Sequence, residues 1–517
     1  MHKRIRALFP VLLVAMFALQ SLAQTATPAQ PLRFSITLAD SASATPVSGR
    51  LIVFMSTQKP RGSAMEPGFG GNTRNTWIAA QEVTNWKPGT AVELDPDRLA
   101  YPAPFSKAPA GDYYVMSFLD VNHNAAYRTY DAGDIIGDRI IVEKLNPAMS
   151  QPIALRIERK VPVRDAKPSE GSELFDFVSP SLSAFWGRPI HMRGVIVLPP
   201  SYKKSRQRYP TVYMTHGYGA TLNVLAGPYA HGYADKMAGG APQMIYVLLD
   251  ESCPGGTHEF ADSVNNGPWG HALTAELIPH LEKKYRMDAK PSGRFLTGHS
   301  SGGWATLWLQ VNYPKIFGGT WSTSPDPTDF RDFIGPDLTK ANTNMYRKPD
   351  GSPWMLVRMD GKDVEAFEDF ARQERVMGEY GGQIASFEWV FSPRGPDGRP
   401  MQLFDRDTGV VHPAVAKYWV EHYDISSVVR KRWKEIGPSL KGKINVIVGT
   451  ADTFHLEGPA RLLDGVLKDL GADAKVTYLE GRTHFDLFKD GLDETIAKEM
   501  YSVARPKTKV KSAAGGK

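Results

Sequence analysis

Residues 294–310, RFLTGHSSGGWATLWLQ, place Ser300 between Gly298 and Gly302. A short apolar run at 294–297 precedes this serine, and a segment at 304–311 that can form a helix follows it. The pattern GxSxG is common by chance, and it indicates a nucleophile only where a strand turns sharply into a helix. Because that setting is present here, Ser300 is the candidate nucleophile. The two glycines would allow the strained backbone and close packing of such a turn.

Apolar segments on both sides of this stretch alternate with helical ones. From about residue 186, strands are predicted at 192–198, 211–215, 244–249, 294–297, 319–322, 444–448 and 476–479, with a helix at 272–284. Buried strands that alternate with helices indicate an α/β fold with a largely parallel sheet. Residues 325–440 interrupt the alternation and are rich in Gly, Pro and aromatic residues. They are predicted to be an insertion above the carboxyl edge of the sheet, where loops form lids and pockets.

A serine nucleophile needs a base, and the base needs an orienting acid. His484 lies in a loop directly after the last predicted strand and is the candidate base. Asp452 follows the strand at 444–448 and is the candidate acid, while Asp326 satisfies the same order and is the alternative. The order Ser, Asp, His is that of α/β hydrolases, so residues 186–503 are predicted to form a domain of that fold.

The same chemistry needs backbone N–H groups that bind the oxyanion of the tetrahedral intermediate. Ser301, directly after the candidate nucleophile, is one predicted donor, and Tyr218 or Gly219, in the loop after the strand at 211–215, is the other. No metal or cofactor is required, and none is predicted. Cys253 is the only cysteine, so no disulfide can form within the chain, and this thiol is interpreted as a small packed residue.

Six features in this order resemble the putative esterase family of α/β hydrolases, which includes feruloyl and acetyl-xylan esterases, enterochelin esterases, S-formylglutathione hydrolase and mycolyltransferases. The features are HGYG at 216–219, NGPWG at 266–270, ELIPHLE at 276–282 with Tyr285, GHSSGG at 298–303, GTAD at 449–452 and the loop around His484. The resemblance covers roughly residues 186–500 apart from the insertion. It implies Ser300 as nucleophile, His484 as base and Asp452 as acid, in agreement with the argument from the residues.

The amino-terminal part has a different pattern. Residues 31–162 contain short alternating apolar runs separated by Gly, Pro and Asn turns, which predicts a small β-sandwich, immunoglobulin-like or transthyretin-like. Residues 163–185 are predicted to link the two domains. Within the sandwich, residues 120–131 have oxygen donors spaced as in a calcium loop, but Ala125 replaces the expected glycine and Asp131 the expected glutamate. A turn stabilised by Asn and Asp side chains is the preferred interpretation, and calcium is the alternative.

The two ends of the chain carry its excess positive charge. Residues 1–23 combine a basic start, an apolar run and small residues before a cleavage point, which predicts a secretory signal peptide. Export to the periplasm or beyond is expected, with no stable membrane anchor after cleavage. Residues 504–517 form a basic tail that is predicted to be disordered. The part between these ends is slightly acidic although the whole chain has a net charge of +6, which argues against a nucleic-acid partner.

Together these features predict an exported serine esterase that forms an acyl-enzyme on Ser300. An acyltransferase with the same three residues is one alternative, and a carbohydrate-binding or scaffold protein on an inactive hydrolase fold is the other. The expected substrate is an ester of a small molecule or of a glycan. A carbohydrate-linked or aromatic ester is expected because the insertion contains many aromatic residues, namely Trp354, Phe367, Phe370, Tyr380, Trp389 and Phe391. The same side chains would also suit a small core within the insertion.

Overall fold

The computed structural model describes residues 30–60, 65, 75–378 and 380–506. The predicted signal peptide at 1–23 and residues 507–517 of the predicted tail lie outside the described residues. At the start of that tail, Ala504 ends the last helix, and Arg505 forms a two-point ion pair with Asp288 (2.6 and 3.1 Å). The prediction of disorder from residue 504 is therefore wrong for these two residues, because helix packing and an ion pair hold them in place.

The amino-terminal domain is a nine-stranded sheet that curls around one apolar core. Its elements are β1 (Phe34–Leu38), β2 (Val47–Ser56), β3 (Thr76–Trp86), β4 (Ala91–Leu94), β5 (Ala100–Tyr101), β6 (Gly111–Asp120), α1 (Ala125–Arg128), β7 (Ile135–Gly137), β8 (Ile140–Leu145) and β9 (Ile153–Lys160). The spatial order is β4-β1-β9-β7-β6-β2-β3-β5, with β8 paired to β6. Because β7 pairs with both β6 and β9, the two halves of the predicted sandwich form one continuous sheet.

Strand β2 is buried on both of its faces. Leu51 and Val53 point into the core of the amino-terminal domain, and the alternate residues Ile52 and Phe54 point the opposite way. On that outer face they join an apolar cluster that includes Met377 of the insertion. The amino-terminal domain is thus packed directly against the insertion.

The second domain contains an eight-stranded sheet. Its strands are β10 (Ser172–Val178), β11 (His191–Val197), β12 (Thr211–Thr215), β13 (Ile245–Leu249), β18 (Arg294–His299), β19 (Gly319–Thr323), β22 (Ile444–Gly449) and β23 (Ala474–Leu479). Three short two-stranded ribbons lie outside this sheet: β14 (Ser252–Cys253) with β15 (Gly256–Thr257), β16 (Asp262–Ser263) with β17 (Gly267–Pro268), and β20 (Met355–Met359) with β21 (Lys362–Ala366). The order is β10-β11-β13-β12-β18-β19-β22-β23, and the six strands from β13 to β23 in this order are parallel. The fold is the predicted α/β-hydrolase fold.

The second half of the predicted linker at 163–185 belongs to this domain. Residues Ser172–Val178 form the edge strand β10, which pairs antiparallel with β11 from Ser172 opposite Val197 to Val178 opposite His191. A helix follows directly, with Ser179 as its N-cap. The prediction was wrong here because the exposed Glu173 and Asp176 interrupt the apolar residues of this edge strand, as they would in a linker.

Helices and apolar clusters cover both faces of the sheet, since alternate residues of β12 enter two different clusters. The helices are α2 (Pro180–Trp186), α3 (Leu222–Val224), α4 (Ala230–Ala238), α5 (Trp269–His271), α6 (Ile278–Lys284), α7 (Ser301–Asn312), α8 (Phe367–Met377), α9 (Gln383–Phe391), α10 (Pro413–His422), α11 (Ile425–Leu440), α12 (Glu457–Asp469) and α13 (Leu492–Ala504). Leu225–Tyr229 and Ala272–Leu277 form π-helical segments before α4 and α6. Among the described residues, no helix is both long enough and apolar enough to cross a membrane.

The insertion between β19 and β22 contains β20, β21 and helices α8 to α11. Its Phe391 and Trp419 share one apolar cluster with Trp304 and Trp308 of α7, and the ring centroids of Trp304 and Phe391 are 4.9 Å apart. The insertion therefore shares a core with the helix that follows Ser300 instead of forming a separate lobe.

Candidate active site

Ser300 occupies a sharp turn between β18 and α7. The strand ends one residue before it, the helix begins one residue after it, and Ser300 itself has φ 60° and ψ −127°. A positive φ is strained for a residue with a Cβ and persists only where the surrounding packing enforces it. A Cβ at Gly298 would lie 2.2 Å from the carbonyl oxygen of Gly302, and a Cβ at Gly302 would lie 2.5 Å from that of Thr215. Both positions therefore require glycine.

His484 and Asp452 lie together on neighbouring loops at the carboxyl edge of the sheet, Asp452 after β22 and His484 after β23. His484 Nδ1 is 3.0 Å from Asp452 Oδ2, and both side chains are buried. Burial by itself would raise the pKa of Asp452, but the hydrogen bond and the charge of His484 lower that pKa below its usual value. An ionised Asp452 holds a proton on Nδ1, which leaves Nε2 able to accept another.

Asp326, the alternative acid, lies beside the two serines. Its Oδ2 accepts a hydrogen bond from Ser301 Oγ at 2.6 Å, and its Oδ1 accepts a longer one from Ser300 Oγ at 3.5 Å. Burial raises the pKa of this carboxyl to about 6. Among the described residues no hydrogen bond joins Ser300 to His484, although the ring of His299, next to the serine, is 4.4 Å from the His484 ring. The Ser300 hydroxyl is thus turned towards Asp326 and stands beside the histidine loop.

The predicted oxyanion donors lie on two sides of Ser300. Ser301 is the first residue of α7, and the first N–H groups of a helix have no acceptor within it. On the other side, a Cβ at Gly217 would be only 3.3 Å from Ser300 Cβ, so the loop 217–220 runs directly past the serine. The Tyr218 hydroxyl is bonded to carbonyl oxygens elsewhere. The hydroxyl is therefore engaged away from Ser300, and the donor predicted from this loop is the backbone N–H of Tyr218 or Gly219.

A buried polar group beneath this loop was not predicted. His216 Nε2 accepts a hydrogen bond from the backbone N–H of Glu251 at 3.0 Å, and its Nδ1 is 2.8 Å from the carbonyl oxygen of Gly217. The imidazole thus ties the loop to the end of β13. Nearby, burial raises the pKa of Glu251 to about 8 and that of Glu259 well above its usual value. Glu251 follows the apolar strand β13, whereas Glu259 follows the short strand Gly256–Thr257, and neither position distinguishes these residues from exposed glutamates in the sequence.

Cavities open on both sides of the candidate site. One, of about 30 Å³, is lined by Ser300, Asp326 and Gln383 and by the apolar side chains Ile334, Leu356, Phe367, Phe370, Ile384, Phe387, Phe454 and Leu456. A second, of about 480 Å³, contains His484, His299 and Gly217 in its wall. A third, of about 810 Å³, lies on the other side of α9 and is lined by Tyr380 and Trp389. The aromatic residues predicted to contact substrate are thus divided, because Phe367 and Phe370 line the cavity at Ser300 and Tyr380 and Trp389 line a separate cavity.

Within the described ranges, no group of three or more His, Cys, Asp or Glu side chains could hold a metal ion. In the loop predicted as either a calcium site or an Asn/Asp turn, the Asp120 carboxylate accepts the backbone N–H groups of Asn122, Asn124 and Ala125. These are the contacts of a turn stabilised by its own side chains.

Comparisons with known proteins agree with the resemblance. The model of the putative esterase family matches residues 187–363, a segment that contains Ser300 and the loop 217–220. Esterase Rv1288 of Mycobacterium tuberculosis is 29% identical over 140 residues, which are 27% of this chain and 30% of that protein. Uncharacterized protein YbbA of Bacillus subtilis is 24% identical over 143 residues, 26% of this chain and 56% of that protein.

Among solved structures, a ferulic acid esterase is similar with a TM-score of 0.41 and 14% identity, covering 64% of this chain and 98% of that one. The chain spans less than a third of the length of the mycobacterial esterase that it matches. Residues 187–363 of this chain are thus similar to the putative esterase family, the family that the sequence motifs resemble.

Proposed function

We propose that this protein is a serine esterase that cleaves a carboxylic ester through an acyl-enzyme on Ser300. The observation that carries the proposal is the buried pair of His484 and Asp452, 3.0 Å apart, at the same sheet edge as the strained turn at Ser300. The family match supports the same class of reaction, since the matched segment contains the serine.

In the proposed reaction, the Ser300 hydroxyl turns from Asp326 to His484, which removes its proton as the oxygen attacks the ester carbonyl. The ionised Asp452 stabilises the imidazolium that forms. His484 then gives this proton to the departing alcohol, and the acyl group remains bonded to the serine oxygen. A water molecule, activated by the same histidine, attacks the acyl-enzyme and releases the carboxylic acid.

The oxyanion of each tetrahedral intermediate is proposed to bind backbone N–H groups on the two sides of Ser300. Ser301 supplies one from the first turn of α7, and Tyr218 or Gly219 supplies the other. Donors of this kind are effective because they are fixed before the reaction and need no reorganisation when charge develops. The close approach of Gly217 to Ser300 supports this placement.

The acyl group is proposed to occupy the small cavity at Ser300. Phe370, Phe387 and Phe454 line it, and the polar side chains in its wall are Ser300, Asp326 and Gln383. An apolar lining favours an aromatic or aliphatic acyl group, and a volume of about 30 Å³ favours a short one. We expect faster hydrolysis of acetyl and other short acyl esters than of long-chain esters of the same alcohol.

Labelling with a fluorophosphonate, followed by mass spectrometry of the adduct, tests the nucleophile. Wild-type protein should carry the label on Ser300, whereas Ser300→Ala should take none and keep the wild-type melting temperature. Burial raises the pKa of the Cys253 thiol to about 12, so the single cysteine should not compete for the probe. A folded wild-type protein that takes no label, or a label on another residue, would overturn the proposal.

Product analysis distinguishes hydrolysis from acyl transfer. With an ester substrate and an added alcohol, the proposed esterase should release mainly the free acid, whereas a transferase would form the new ester.

Export is likewise proposed from residues 1–23 alone, which lie outside the described residues. Amino-terminal sequencing of the mature protein from the producing cell would check it.

A further inference from the structure

The loop between β6 and β7 of the amino-terminal domain contacts the loop that passes Ser300. The Tyr127 hydroxyl donates a hydrogen bond to the carbonyl oxygen of Ala220 at 2.8 Å. In return, the Tyr218 hydroxyl bonds to the carbonyl oxygen of Ala126 at 3.0 Å. The two rings meet edge to face with their centroids 4.9 Å apart. Each tyrosine is therefore bonded to the backbone of the loop that holds the other.

The loop that carries Tyr127 is held rigidly within its own domain. The buried carboxylate of Asp120 accepts three backbone N–H groups, at 2.9 to 3.2 Å, from the residues that lead into α1. The buried carboxylate of Asp134 accepts the N–H groups of Val121 at 2.9 Å and Asp131 at 2.7 Å. A loop fixed in this way can hold the loop 217–220, which it contacts, in one position.

A second connection runs through the insertion. The single proton of the Tyr218 hydroxyl is shared between the carbonyl oxygen of Ala126 and that of Gly381, just before α9. Arg50 of β2 donates to the carbonyl oxygens of Arg375 and Val376, both at 2.9 Å, near the end of α8. The first turn of α8 supplies Phe367 and Phe370 to the cavity at Ser300. Two walls of the candidate active site are thus attached to the amino-terminal domain.

We propose that the amino-terminal domain is a positioning part of the active site and that Tyr127 is its positioning residue for the oxyanion loop. This inference rests on the proposed esterase function. The hydrogen bond to Ala220 fixes the end of the loop 217–220, and with it the direction of the N–H groups of Tyr218 and Gly219. Loss of that bond leaves the substrate contacts in the acyl cavity intact and weakens donors that act mainly in the transition state. Such a change lowers kcat and leaves KM nearly unchanged.

Tyr127→Phe tests the inference, because it removes the hydroxyl and keeps the ring. Tyr113→Phe is the matched control, since the Tyr113 hydroxyl donates to the carbonyl oxygen of Pro109 within the same domain and touches neither the loop nor the insertion. We expect Tyr127→Phe to lower kcat about tenfold, a fraction of the hundredfold or more lost with an oxyanion donor itself. KM should stay within about twofold, and the rate of fluorophosphonate labelling should fall in parallel. Tyr113→Phe should match the wild-type kcat.

Equal kcat values for Tyr127→Phe and Tyr113→Phe, or a rise in KM with unchanged kcat, would overturn the inference. If Tyr127→Phe melts at a lower temperature than the control, Tyr218→Phe removes the reciprocal hydroxyl from the hydrolase side and should show the same loss of kcat. A wild-type protein that neither hydrolyses esters nor takes the label would instead overturn the proposed function, so the two failures are distinguishable.

Discussion

Asp452 and Asp326 are the two carboxylates near Ser300, and each has a different partner. Asp452 is hydrogen-bonded to His484, whereas Asp326 is hydrogen-bonded to Ser301. We predict that Asp452→Asn lowers kcat/KM by about 10³- to 10⁴-fold, because an amide neither holds the Nδ1 proton nor stabilises the imidazolium. The kcat/KM of Asp326→Asn should stay within about tenfold of the wild-type value, since this change affects only the hydrogen bonds that Ser300 and Ser301 make before the reaction. Rates on one activated ester, measured beside the melting temperatures of both variants, make the comparison.

The opposite ranking of the two variants would give the orienting role to Asp326. Equal large losses would also contradict the prediction, because they would mean that the carboxylates work as one unit. Neither result would change the role proposed for Ser300, which the fluorophosphonate label reports separately.

The turn between β18 and α7 is dictated by packing at Gly298. A Cβ there would lie 2.2 Å from a backbone oxygen and 2.5 Å from Thr215 Oγ1, and the backbone cannot move away without disturbing the sheet. We predict that Gly298→Ala costs about 3 kcal/mol of stability and abolishes esterase activity. Gly465→Ala is the control, since it lies in α12 with open space around it. That change should stabilise the protein by up to about 1 kcal/mol. Urea unfolding of both variants measures the difference, and a fully stable Gly298→Ala protein would contradict the packing argument.

Helices α8 and α9 are joined through Glu374. Its buried carboxylate accepts the backbone N–H groups of Ile384 at 3.0 Å and Ala385 at 2.9 Å. Burial raises the pKa of Glu374 from 4.5 to about 7, although these two N–H groups act in the opposite direction. The folded protein therefore binds this proton more tightly than the unfolded chain does. The resulting stability is complete below about pH 4.5 and is lost as the pH rises through 7.

We predict that Glu374→Gln reduces the fall in melting temperature between pH 5 and pH 8, because the amide stays neutral over this range. Glu421→Gln, on the exposed surface of α10, is the control and should keep the wild-type slope. Thermal unfolding of the three proteins in matched buffers at several pH values measures it. An unchanged slope in Glu374→Gln would show that the Glu374 proton is not linked to folding.

The parallel strands could be predicted because strands that are buried on both faces consist mostly of apolar residues. The strand predicted at 211–215 is observed as Thr211–Thr215, and each of its residues is buried. The edge strand β10 could not be predicted, because only one of its seven residues, Phe175, is buried and its order comes from pairing with β11. In the same way, Arg505 was predicted as part of a charged tail, and only the packed structure brings it to Asp288.

Part of the candidate site could likewise be predicted from the sequence, and part could not. Asp452 and His484 follow neighbouring parallel strands, so their pairing could be predicted from their order in the chain. The contact from Tyr127 to Ala220 joins positions 93 residues apart in two domains. No local pattern specifies such a contact, because it depends on how the two finished domains pack. From its oxygen donors, the loop 120–131 was interpreted as a turn stabilised by Asn and Asp side chains, with calcium as the alternative, and neither interpretation connects it to the active site.

At the scale of the whole molecule, Arg50 connects the amino-terminal sheet to the insertion. It is 8% exposed and bonds both to Glu82 in its own sheet and to two carbonyl oxygens of α8. We predict that Arg50→Met costs about 3 kcal/mol, because it leaves the carbonyl oxygens of Arg375 and Val376 without their charged donor. Glu82 contributes little to this cost, since it is half exposed and keeps its contact with His123. Arg159→Met, which breaks an exposed ion pair, should cost less than about 1 kcal/mol. Because α8 also lines the cavity at Ser300, Arg50→Met should weaken the discrimination between short and long acyl esters, whereas Arg159→Met should preserve it. Urea unfolding and competition between two acyl esters measure both effects, and an Arg50→Met protein with wild-type stability and selectivity would mean that the two domains work independently.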